Sequence, residues 1–155
     1  ESLRCYRRNG QSLALFGLVV GLAALFWERF SAIAFALLGD SSGASSGVFL
    51  GRILLSGQYD VFVITWFALG GLLALFIFAL SVVSVPLMLD RDSDFVTAMA
   101  TSLQAFMNNA GPLLLWAALI VFLGLLGFAT LLFGLVVIMP IVGHASWHAY
   151  RDLVE

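Results

Sequence analysis

Apolar residues run in long blocks along this chain, separated by short polar or glycine-rich breaks, and the length of each block decides what it builds. Crossing a hydrocarbon layer of about 30 Å at about 1.5 Å per residue takes roughly 20 residues in a helix. The block from Ser12 to Leu38 is long enough, with Glu28 and Arg29 interrupting it near the far interface. Asp40 to Gly47 reads DSSGASSG and predicts a loop. Val48 to Leu55 is too short to cross and carries Arg52, so it predicts an interfacial or re-entrant piece. The 29 positions from Val61 to Leu89 hold no charged residue and predict a second span. Tyr59 and Trp66 mark one end of it, and Pro86 lies near the other, where a missing N–H costs least.

After the Asp90 to Asp94 run, Val96, Met99, Leu103 and Phe106 recur at helical spacing. They predict an interfacial helix over 95–109, capped by Ser93 or Asp94. Asn108 to Pro112 predicts a break and a restart, because proline suits the first turn of a new helix. From Pro112 to Gly143 the chain is apolar for 32 residues. One helix of that length would measure about 48 Å, more than tilt absorbs, so two spans divided near Gly127 to Thr130 are expected. The fold class is therefore all-α, a transmembrane helical bundle in one domain over 1–155. Four spans are expected at about 12–38, 61–89, 112–127 and 131–150, with three as the alternative. With four spans, Arg4, Arg7, Arg8, Arg91 and Arg151 share the cytoplasmic side and only Arg29 and Arg52 lie outside, as the positive-inside rule asks.

Composition strengthens this reading. Apolar residues make up 62% of the chain and charged ones 10%, a balance that no soluble domain of this size accommodates. A net charge of −2 with seven arginines and no lysine offers no basic stripe for nucleic acid. The single cysteine, Cys5, has no internal disulfide partner. The chain starts at Glu1 and is expected to be the C-terminal part of a longer precursor.

In lipid, helices associate by close backbone approach, so small residues at helical spacing mark contact faces. Ala14, Gly17, Gly21 and Ala24 form such a stripe, and Gly70 with Ala74, and Ala117 with Gly124 and Gly127, repeat it. Each stripe packs either inside the bundle or on a transmembrane helix of another protein.

Two polar clusters remain. His144, Trp147, His148 and Arg151 share one face of the last helix. A His-x3-His pair presents two imidazoles to one ion, but two ligands do not complete a metal shell. Asp90, Arg91 and Asp92 belong to the same surface in the four-span topology. Headgroup anchoring and ion pairing therefore account for both clusters, and His144 and His148 are expected to bind no metal or tetrapyrrole. Glu28 is a functional candidate as an ionisable group near the hydrocarbon, with Arg29 as its structural partner. No residue is expected to be catalytic, cofactor-binding or metal-ligating, no cofactor is expected, and no enzyme signature is present.

The stretch SVVSVPLMLDRD at 81–92, the shorter pieces TAM at 97–99, WAALI at 116–120 and GFATLL at 127–132, and GHASWHAYRDLV at 143–154 together resemble a bacterial, proteobacterial family of predicted integral membrane proteins of unknown function. The resemblance is strong in the last half and loose over the first span. It implies further spans before Glu1, an inner-membrane location and no established activity. The function expected is that of an accessory, non-catalytic subunit whose partners are the bilayer and the transmembrane helices of a larger respiratory or photosynthetic complex. The alternatives are a transporter or channel component, with Glu28 on its path, and a membrane metal enzyme.

Overall fold

A computed structural model describes residues 9–38, 51, 57 and 59–154. The N-terminal arginines, Cys5, the Asp40 to Gly47 loop and Arg52 lie outside the described residues. Among the described residues six helices follow in order: α1 Gly10–Leu38, α2 Asp60–Ser81, α3 Ser84–Asp90, α4 Phe95–Asn108, α5 Ala110–Ala129 and α6 Phe133–Val154. No strand occurs among the described residues. Four stretches are long and apolar enough to cross a membrane, Gly10–Leu37, Asp60–Asp90, Ala110–Ala129 and Phe133–Leu153. The chain is thus an all-α, multi-pass membrane protein with four candidate spans among the described residues. It divides into two compact units, Gly17–Ala74 and a second made of Glu1–Phe16 with Leu75–Glu155.

The 61–89 block, expected as the second span, is one candidate span over Asp60–Asp90 but is interrupted at Val82 and Val83 between α2 and α3. Pro86 has no N–H to return to the Val82 carbonyl, so the ladder fails one turn before it. Side chains repair the gap. Ser102 of α4 donates its hydroxyl to the Ala79 carbonyl at 2.7 Å and accepts the Val83 N–H at 3.1 Å. Ser84 donates to the Leu80 carbonyl. Ala98 and Ser102, one turn apart and fully buried, let α4 approach closely, and Val83, Ser84 and Met88 complete this core. The α4 start is capped as expected, with the Thr97 N–H donating to Asp94 Oδ2 at 3.0 Å.

Helices α5 and α6 form a tight hairpin. Pro112 sits in the first turn of α5, where no N–H is required. The turn falls at Thr130 to Leu132, slightly later than expected, and places Leu131 at φ 52° and Leu132 at φ 73°. Left-handed leucines cost about 1–2 kcal/mol each. Hydrogen bonds hold them there: Leu131 donates to Phe128 O and Leu132 to Gly127 O, both at 3.0 Å. Thr130 Oγ1 accepts the Gly134 N–H at 2.9 Å and donates to Gly127 O at 3.0 Å. Gly127 faces the Leu135 and Ile138 side chains, and a Cβ on Gly134 would lie 3.2 Å from the Gly127 Cα. Any side chain at these glycines would spread the hairpin. α3 packs on α4 and α6, and α4 on α5.

In the Gly17–Ala74 unit aromatic rings join α1 to α2. Trp27 stacks on Trp66 at 5.5 Å, Phe35 meets Trp66 edge-on at 5.3 Å, and the Trp66 indole donates to Ser31 Oγ at 3.0 Å.

Candidate functional site

The polar groups of the larger unit gather where three helix ends meet. Tyr150, buried near the end of α6, donates its phenol to Asp90 Oδ2 at 3.0 Å, at the end of α3. Arg91 Nε lies 3.7 Å from the same carboxylate oxygen, and both side chains are about half exposed, so the ion pair contributes little. Asn9, at the start of α1, is buried and donates from Nδ2 to the Met88 carbonyl at 3.3 Å and the Ser93 carbonyl at 2.6 Å. Asp92 and Arg151 are exposed. Trp147 is half-buried and packs against Tyr150 at 5.4 Å. Asn9 and the Tyr150 bond were not among the residues singled out from the sequence. The only sequence signal for Asn9 is its place just before an apolar run, where asparagine serves as a helix start.

A cleft of about 360 Å³ opens beside the α2–α3 break. Phe78, Ser81, Pro86, Trp116 and Trp147 line it with mostly apolar surface. The Trp116 indole N–H is buried and has no hydrogen-bond acceptor among the described residues. The smaller unit carries a second apolar cleft of about 270 Å³ between Phe26, Trp27, Phe30, Leu69 and Leu73.

The two histidines are exposed on α6, and their rings meet edge to face with Nε2 to Nε2 at 3.3 Å. Among the described residues no three metal-ligating side chains converge. Glu28 and Arg29 form the expected pair at 3.1 Å, with both side chains largely exposed. Asp94, outside the candidate spans, is held below its ordinary carboxylate value, first by the Thr97 side chain and then by the Thr97 N–H.

The small-residue stripes divide in use. A Cβ on Gly70 would lie 2.7 Å from Cζ2 of Trp27, so the close approach there is of a ring to a helix and not of two backbones. Gly127 is covered by Leu135. Ala14, Gly17, Gly21 and Ala24 are all exposed, as is Ala74, and a Cβ at Gly17, Gly21 or Gly124 meets nothing within 4 Å.

The family model for predicted integral membrane proteins named DUF2189 matches residues 1–90, more than half of the chain. The chain belongs to this family. The DUF2189 match covers the half in which the resemblance was expected to be loose. Of the segments that suggested it, only 81–90 lies inside the match, and the histidine segment lies beyond it. No curated protein and no solved structure matches the chain.

Proposed function

We propose that this protein is a non-catalytic accessory subunit of a larger respiratory or photosynthetic complex in the bacterial inner membrane, and that it docks through α1. The observation that carries this reading is the unused stripe. Gly70 and Gly127 are covered by Trp27 and Leu135, whereas Ala14, Gly17, Gly21 and Ala24 are exposed and open. A groove of that kind fits the backbone of a second transmembrane helix. Gly17→Leu with Gly21→Leu fills the groove at positions where an added Cβ meets nothing within 4 Å among the described residues. Native-level recovery of the variant with loss of the co-purifying complex is expected. Unchanged recovery of both would sink the docking reading.

One observation favours a second reading, as a transporter component. The α2–α3 break places Ser81, Val82 and Val85 in the lining of a cleft, and irregular backbone at membrane depth is tolerated where it is buried in protein or lines a cavity. A cysteine placed at Ser81 decides between them. Rapid reaction with a small charged thiol reagent marks a water-filled path, and no reaction marks a dry cleft.

A further inference from the structure

The histidine pair carries an inference independent of docking. His144 and His148 stand one turn apart on α6, so their backbones are fixed by the helix and only their rings need to be placed. The Nε2 atoms are 3.3 Å apart while the ring centroids are 4.9 Å apart, so each nitrogen lies on the side of its ring that faces the other. One ring donates to the other across this gap. An ion bound at the usual metal–imidazole distance of about 2.0–2.1 Å from both nitrogens would subtend an angle of about 107° between them, close to the tetrahedral value. The separation that serves a hydrogen bond therefore also serves a chelate.

We propose that His144 and His148 bind one divalent first-row transition-metal ion, zinc or copper, through both Nε2 atoms in the second half of α6. Imidazole is a preferred ligand for these ions, and copper(II) binds more tightly than zinc at a given site. On binding, the proton shared between the two Nε2 atoms moves to Nδ1 of the ring that carried it, so both rings stay neutral and each turns a lone pair to the metal. Both rings are exposed, and water completes the shell, since no third ligand joins them among the described residues. The expectation of anchoring alone rested on ligand count. The geometry adds that the two available ligands are already convergent.

The full chain carrying Cys5→Ser, which removes the competing thiol, is purified in detergent and titrated with zinc by calorimetry. Copper(II) is added separately and its coupled nitrogens are counted by electron paramagnetic resonance. One equivalent of zinc and two imidazole nitrogens on copper are expected. Because the second ligand binds from a fixed position on the same helix, His148→Ala should weaken zinc binding by about 100-fold or more. A third protein, His148→Ala with Ala149→His, keeps two histidines but sets them about 140° apart round the helix. It should bind no better than the single variant. Zinc binding that survives in the shifted protein or in the His144→Ala, His148→Ala double variant, or a wild type that binds no zinc at millimolar concentration, overturns the site. Unchanged helicity by circular dichroism in each variant ties the loss to the ligands.

Discussion

Tyr150 donates to Asp90 across sixty residues of chain, and this one bond sets the end of the last helix level with the end of α3. Asn9 adds the start of α1 to the same level through the Met88 and Ser93 carbonyls. Tyr150→Phe keeps the ring against Trp147 and removes only the donor. It should lower stability by about 1 kcal/mol, and by less when it is made in an Asp90→Ala background, where the acceptor is already gone. Denaturant titration in mixed micelles measures both; additive losses would show that the residues act separately.

Ser102 serves two backbone groups that no helix serves, the Ala79 carbonyl and the Val83 N–H. Ser102→Ala leaves both buried without their partner. Membrane hydrogen bonds often measure below 1 kcal/mol because the unfolded chain finds substitutes, but a paired loss at a helix break should reach about 1–2 kcal/mol. Amide exchange at Val83 should rise with it. Unaltered exchange would mean that the break is held by packing alone.

Gly70, in the smaller unit, has no room for a side chain. In Gly70→Ala the new methyl meets the Trp27 ring, which is itself held by Trp66 and Phe30. Overpacking of this kind costs about 1–3 kcal/mol. Trp27→Phe in the same protein should recover part of the loss, and a double-mutant cycle that shows no coupling would contradict the contact.

The cap of α4 gives a pH dependence. The Asp94 carboxyl titrates below its ordinary value when folded, so it binds its proton more readily in the unfolded chain. Its contribution is therefore present above the unfolded value of about 3.9 and is lost as pH falls through the lower folded value. The Thr97 amide resonance should stay constant from neutral pH down to that range and then move. In Asp94→Asn the amide oxygen still accepts the bond, and the movement should vanish. A shift that persists there belongs to another group.

What could be read in advance was local. The spans follow from block length, the α5–α6 turn from an apolar run too long for one helix, the α4 cap from Asp94, and the Glu28–Arg29 pair from adjacency. What escaped depends on partners distant in sequence. Pro86 signals a weak point, but the break at Val83 is stabilised by Ser102, nineteen residues on. The stripes containing Gly17 and Gly70 look alike in sequence, and only the position of Trp27 separates a covered glycine from an open one. Lipid and a partner helix are equally apolar, so hydropathy does not tell the two faces apart.

The bonds from Tyr150 and Asn9 make the topology testable as a whole. The start of α1, the Asp90 to Asp94 segment and the end of α6 lie at one level, which requires an even number of crossings before each return. With Arg91 and Arg151 in these segments, and Arg4, Arg7 and Arg8 shortly before α1 in the sequence, that surface should be cytoplasmic. Single cysteines at Ser93 and Ser146 are introduced into a Cys5→Ser chain and probed in intact cells with an impermeant thiol reagent. Both should stay unlabelled until the inner membrane is opened. Labelling of Ser146 from the periplasm while Ser93 remains protected would put α6 on the opposite side from α3. That outcome is incompatible with the Tyr150 to Asp90 bond, and it would restore the three-span arrangement.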